Sequence, residues 1–278
     1  MSRIAIIAAL FIVTTPRTFA DPSDALLAAV TACDVDGIQA EIEKGADVNG
    51  ADEEGRTPLF CAVQAGDLKG ATMLIQRGAR VNAITASGET PLTAAVTDGS
   101  IELVQALLKN GANPNEAGPS GTVLHVAIER GLSSMAELLI ARGARLEYQD
   151  EQGRTPLFIA VEGNDPAMVS LLLTKGAKAD AKAHDERVPL LIAAQAGNLN
   201  VAEMLLAHGA DPNIKTDSGI PLLVDASASG RKELVELLAR RGADVRAAND
   251  EGKTALALAT AAGHSGIVDI LQQAGARE

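Results

Sequence analysis

Four histidines and two cysteines are the side chains best suited to metal binding or nucleophilic chemistry in this chain, and neither set is spaced for it. His125, His184, His208 and His264 lie tens of residues apart. A zinc site draws its ligands from short, ordered spacings, and none of these histidines has such a neighbour. Gly263-His264-Ser265-Gly266 looks superficially like a nucleophile elbow. That device needs G-x-S-x-G on a strand-to-helix turn, so that the serine Oγ stands exposed; the run is one residue short and no strand precedes it. Gly118-Pro119-Ser120-Gly121 lacks the lysine and the helix start with which a phosphate loop cradles an anion. The 36 carboxylates are scattered rather than paired for acid–base work. The chain therefore reads as no enzyme, with no cofactor and no metal.

What positions these residues is a repeat. Gly-Ala returns at Gly45, Gly78, Gly111, Gly143, Gly176, Gly209, Gly242 and Gly275, at intervals of 33 residues with one of 32. Twelve residues after most of these glycines stands Thr57-Pro58-Leu59, Thr90-Pro91-Leu92, Thr155-Pro156-Leu157 or a close variant. A period in this range signals stacked supersecondary units. Within one unit, Thr57 can cap a helix that starts at Pro58. Gly66 suits the left-handed residue that stops it, Asp67 can cap a second helix through Leu74 and Ile75, and Gly78 stops that one. Two short antiparallel helices result. Their apolar sides, in runs such as Leu171-Leu172-Leu173, can be covered only by neighbouring copies.

On these landmarks residues 24–276 resemble ankyrin repeats, whose T-P-L-H-x-A signature is nearly met by Thr122-Val123-Leu124-His125-Val126-Ala127. The resemblance implies an all-α fold: an ankyrin-repeat solenoid of about eight helix-turn-helix units with short β-hairpin loops. Residues 21–278 then form the repeat domain, with units 24–49, 50–82, 83–115, 116–147, 148–180, 181–213, 214–246 and 247–278. The first unit lacks the Thr-Pro cap and the hairpin, and the last stops after its helices, as end repeats facing solvent should. Several residues depart from the chain's own consensus. Glu186 stands where a glycine is expected, Val188 where Thr caps, Pro221 where Thr is expected, Asp225 at an apolar inner position, and Asn164 at a helix-ending glycine. The family often carries a histidine where His125 and His264 fall, which implies a structural role for both.

The family also implies where a partner would bind: hairpin tips and the ends of first helices line a concave groove. Carried onto this chain, the tip positions include Glu53, Glu54, Arg56, Glu89, Glu151, Gln152, Arg154, His184, Asp185 and Arg187. The helix ends add Gln64, Glu129, Arg130, Glu162 and Gln195. Tyr148 stands apart, as the one tyrosine of a chain without tryptophan, in a hairpin rather than a helix. Exposed tyrosine is enriched among binding hot spots; the other reading is that it covers the neighbouring hairpin. Phe60 and Phe158, at the histidine position of the signature, are expected to pack on the adjacent loop.

Ahead of the repeats, Arg3, the apolar run Ile4 to Val13 and Thr18-Phe19-Ala20 have the features of a secretory signal peptide, residues 1–20, cleaved after Ala20. The run is too short to span a bilayer, which takes about 20 residues, and no cysteine follows the junction to accept lipid. The expected location is periplasmic or secreted. Losing Arg3 and Arg17 leaves 22 basic residues against 36 acidic, a net charge of −14. No basic surface is expected, which makes nucleic acid and anionic lipid poor partners. The acidity favours a cationic protein partner, or it serves only to keep an alanine-rich repeat soluble.

Cys61 falls at an apolar inner-helix position and Cys33 at the junction between the helices of the first unit. Neighbouring helices sit about 8–10 Å apart, and Cys33 lies more than a turn from the level of Cys61. That exceeds the roughly 7 Å that a disulfide can bridge between Cα atoms, so two free thiols are expected. Exported bacterial ankyrin proteins, which the whole chain resembles, inhibit or confer immunity against envelope hydrolases and toxins, or support enzymes such as catalase. The resemblance implies a non-enzymatic binder of one protein partner that controls or protects it. A structural scaffold in an envelope complex is the alternative, and a hydrolase using groove carboxylates is disfavoured.

Overall fold

A computed structural model describes residues 22–277. The leader and its junction at Ala20 lie outside the described residues. The chain forms two compact units, one ending at Arg80 and the other beginning at Val81. The first unit holds α1 (Pro22–Ala32), α2 (Val35–Glu43), α3 (Pro58–Gln64) and α4 (Leu68–Gln76). The second holds α5 (Pro91–Asp98), α6 (Ile101–Lys109), β1 (Ala117–Gly118), β2 (Gly121–Thr122), α7 (Val123–Glu129) and α8 (Ser133–Ala141). It continues through α9 (Pro156–Glu162), α10 (Pro166–Thr174), α11 (Pro189–Gln195) and α12 (Leu199–Ala207) to α13 (Leu222–Ala228), α14 (Lys232–Arg240), α15 (Ala255–Ala261) and α16 (Ser265–Gln273).

The local rules act where the sequence places them. Thr57 Oγ1 accepts the Phe60 N–H at 3.3 Å ahead of α3, and Asp67 accepts the Lys69 N–H at 3.1 Å ahead of α4. Each bond satisfies a donor that the first turn of a helix leaves unpaired. Gly78 then takes φ of 91°, a left-handed turn in which a side chain would be strained. Three residues accept that strain without being glycine: Cys33 at φ 46°, Asn164 at 53° and Glu186 at 65°. Each uses the side chain that glycine lacks. Cys33 bonds to Cys61, Asn164 Oδ1 accepts from Asn198 Nδ2, and Glu186 pairs with Lys182 at 2.7 Å.

Stacking supplies the core. In the second unit α7 packs on α5 and on α9, α9 packs on α11, and α10 packs on α12. The leucine after each capping dipeptide, from Leu92 through Leu124, Leu157, Leu190 and Leu223 to Leu256, is buried. The hairpins are slighter than expected. Among the described residues one two-rung antiparallel ladder forms, Ala117 with Thr122 and Gly118 with Gly121, with isolated bridges at Lys215–Pro221 and Ala248–Thr254. Other tips close on a single turn, as where Asp150 N donates to Arg154 O at 3.0 Å.

The departures are accommodated in two ways. Val188 makes no side-chain cap bond, so α11 starts on Pro189 alone. Asp225 pairs with Arg231, whose Nη1 also donates to Ala194 O at 3.2 Å, so the charge placed at an apolar position is matched from its own repeat.

The expectation of two free thiols fails. Cys33 and Cys61 form a disulfide with Cα atoms 5.1 Å apart. Cys33 was expected more than a turn from the level of Cys61, whereas the structure brings the two together. The end of α1 therefore lies beside the middle of α3, with Cys61 Sγ 3.3 Å from Val30 O and Arg56 Nη2 3.0 Å from Thr31 O.

Candidate protein-binding surface

In the second unit the tip and helix-end residues are joined by one chain of charged contacts. Asp150, buried in the tip, accepts Arg154 N and Nε and Gln152 N, all at 2.8–2.9 Å. Arg154 reaches on to Glu162 Oε2 at 3.1 Å and Glu129 Oε1 at 3.7 Å, which lie at the ends of α9 and α7. Glu162 also faces Arg187 at 3.8 Å in the next tip, and Arg187 Nε donates to Asp185 at 2.6 Å. Farther along, Gln195 Nε2 donates to Asp217 at 3.0 Å. Burial pushes the Asp150 carboxyl upward, but the donors from Arg154 and Gln152 outweigh it and hold the group below its ordinary value. Burial likewise opposes the charge of Arg154, and the Asp150 and Glu162 carboxylates raise its pKa in spite of it. On the exposed Asp185, the hydrogen bond from Arg187 lowers the carboxyl.

Of the residues assigned to this surface from sequence, the structure thus connects Glu129, Gln152, Arg154, Glu162, Asp185 and Arg187. The two arginines tie their own tips to first-helix ends and share Glu162, and the Arg187 guanidinium also lies 5.8 Å from the Phe158 ring centre, the loop packing expected of that phenylalanine. Glu89, Arg130 and Glu151 are exposed and, among the described residues, belong to no ion pair. His184 is exposed but seated: its N–H donates to Gln152 O at 2.9 Å, and a Cβ on Gly153 would come within 2.4 Å of its ring. In the first unit Arg56 repeats the pattern, holding Asp52 at 2.7 Å and Glu54 at 3.3 Å, beside exposed Glu53 and Gln64. Sequence reasoning passed over Asp150, the anchor of the chain of contacts. Its signal was present in the shared spacing Asp52…Arg56 and Asp150…Arg154.

Tyr148 packs against the preceding repeat. Its ring stands edge-on to His125, with centroids 6.3 Å apart and planes at 80°. It is half-buried and lines a shallow depression with Ser87, Gly88, Pro119 and Glu151. His125 beneath it is fully buried. Thr122 N–H lies 3.1 Å from Nδ1 and can only donate, so Nδ1 accepts, and Nε2 carries the proton toward Arg154 O at 3.2 Å. The neutral ring ties its own cap to the next tip.

Burial pushes the His125 imidazole below its ordinary value of 6.5, against the raising effect of the Arg154 carbonyl. The unfolded chain then binds this proton more readily than the folded one. This contribution to stability is present above the unfolded value and is lost as pH falls from 6.5 toward the lower folded value. The urea midpoint is expected to drop as pH falls below 6.5, and His125→Gln to flatten that slope. An unchanged slope in the variant would place the titration elsewhere.

The sequence matches the family of ankyrin repeats (3 copies) over overlapping segments 8–85, 26–118, 83–150, 124–216 and 190–277. The fold is similar to the crystal structure of the ankyrin repeat domain of Bcl-3, a unique member of the IkappaB protein family. That likeness has 33% sequence identity and a TM-score of 0.68, and covers 79% of this chain and 100% of that one. No curated protein matches the sequence.

Proposed function

The chain belongs to the ankyrin-repeat family, whose repeats mediate contacts between proteins, and on that premise we propose that it is an exported, non-enzymatic protein that grips one partner and controls or protects it. The observation that carries this reading is the tip surface of repeats 83–213. There Arg154 and Arg187 hold Asp150 and Asp185 of their own tips, Glu151 is exposed beside the half-buried Tyr148, and Glu89 and Arg130 are exposed as well. A pre-ordered surface loses little conformational freedom on binding. The acidic tips favour a cationic partner such as an envelope enzyme or toxin. Export to an oxidising periplasm is supported by the leader and by the Cys33–Cys61 bond, a linkage that persists in such a compartment.

The test begins with capture of the partner from a periplasmic extract and continues with binding kinetics at two salt concentrations. Tyr148→Ala is expected chiefly to speed dissociation. Glu89→Lys with Glu151→Lys is expected to slow association, and added salt to do the same, because attraction between exposed charges is screened over roughly 8 Å at physiological ionic strength. Rates indifferent to salt and to all three substitutions would move the site off this surface.

A further inference from the structure

The chain's acidity predicts no basic surface, yet the structure shows one along a different edge. Successive repeats of the second unit are tied together just beyond their second helices. Asn113 N donates to Asn82 Oδ1, Arg145 N to Asn115 Oδ1 and Lys178 N to Glu147 Oε1, each at 2.8 Å. Asp211 N to Asp180 Oδ1 at 3.1 Å and Asp244 N to Asn213 Oδ1 at 2.7 Å continue the row. Equivalent residues of neighbouring repeats are thus set side by side.

At this position Asn113, Asp211 and Asp244 each accept the backbone N–H two residues on, at 3.0, 2.8 and 2.9 Å, as Asp47 does in the first unit. Arg145 and Lys178 cannot, since neither side chain has an acceptor. The chain forfeits a local hydrogen bond in two adjacent repeats and gains two exposed cations. Lys109, Arg142 and Lys175 stand nearby at the ends of α6, α8 and α10, where the negative end of the helix dipole explains them. No helix dipole explains Arg145 and Lys178, four residues past the helix ends. All five cations are exposed, and among the described residues none is in an ion pair. The acids of the same edge accept neutral N–H donors and keep their charge, Glu116 from Asn113 Nδ2, Glu147 from Lys178 N and Asp180 from Asp211 N, so that five cations stand against three carboxylates.

We propose that this edge of repeats 83–180 is a second interaction surface, fitted to an extended acidic segment of a protein partner. An extended chain can follow the two short rows of cations and end before Asp211. A flat anionic bilayer would also press on Asp211 and Asp244, which extend the row with the opposite charge. The surface shares no residue with the tips, so its failure leaves the tip proposal standing, and the converse holds.

The test is fluorescence anisotropy of a labelled octaglutamate peptide with the full chain. Saturable binding that weakens with salt is expected. Arg145→Asn with Lys178→Asp should weaken it about tenfold, from two lost charge contacts each within the range for exposed pairs. That variant restores the residue types that accept the N–H elsewhere in the row, so its melting temperature should hold or rise, which separates lost binding from lost folding. Glu89→Lys with Glu151→Lys should leave the affinity for octaglutamate undiminished. Absence of saturable binding, or binding unchanged in Arg145→Asn with Lys178→Asp, would overturn the proposal. So would tighter binding to phosphatidylglycerol vesicles than to octaglutamate, lost in the same variant, which would assign the edge to a membrane.

Discussion

Leu172→Ala is expected to destabilise the second unit by about 2–5 kcal/mol, the range for truncating a large buried aliphatic side chain. Leu172 is fully buried in α10, a helix that packs on α9 of its own repeat and on α12 of the next. A cavity there weakens contacts within a repeat and between repeats at once. In a stack stabilised by nearest-neighbour contacts, such a loss in the middle lowers the cooperative transition, whereas one in the last repeat releases only the end. Leu271→Ala in α16 is the comparison, because Leu271 is equally buried but, among the described residues, has a neighbouring repeat on one side only. Urea unfolding should show a lowered midpoint for Leu172→Ala, and hydrogen exchange should show local loosening around α16 for Leu271→Ala. Equal global effects from both would refute the nearest-neighbour account.

Reducing the Cys33–Cys61 bond is expected to cost the first unit roughly 3–4 kcal/mol, the loop-entropy value for closing a segment of about this length. The closed segment spans 28 residues and holds the end of α1 against α3 in a repeat that lacks its own hairpin and Thr-Pro cap. Cys33→Gly is the informative variant, since glycine fills this left-handed position in most other repeats and leaves no cavity at a half-exposed site. Without reductant the wild type should be the more stable; with dithiothreitol the order should vanish or reverse, because glycine relieves the positive φ. Hydrogen exchange in α1 should rise on reduction. A wild type indifferent to dithiothreitol, with both thiols open to alkylation after unfolding, would rule the bond out.

Thr57 and Pro58 at a helix start, Asp67 at the next, and glycine at Gly66 and Gly78 were legible because each rule acts within a few residues and is repeated in phase along the chain. Stacking was legible for the same reason: a pair of short helices with an apolar side has no other way to cover it. The sequence placed Glu129, Arg154, Glu162 and Arg187 on one surface through the resemblance to ankyrin repeats, because position within the period determines which face a residue occupies. What those side chains do there was not legible. Arg154 and Arg187 meet at Glu162 on the end of α9, and Asp150 anchors Arg154 from a buried position, since contacts between a tip and the helices beside it depend on distances that the spacing alone does not contain.

The sequence by itself determined the unit, its two helices, their caps and the number of copies, all of them consequences of backbone preference and apolar burial at short range. Only the tertiary structure decided that the end of α1 lies beside the middle of α3, and with it that Cys33 meets Cys61. It also decided which charges of an acidic chain stand unpaired side by side. Net charge is a sum over the whole chain, whereas Arg145 and Lys178 form one edge because stacking sets residues about 33 positions apart next to each other.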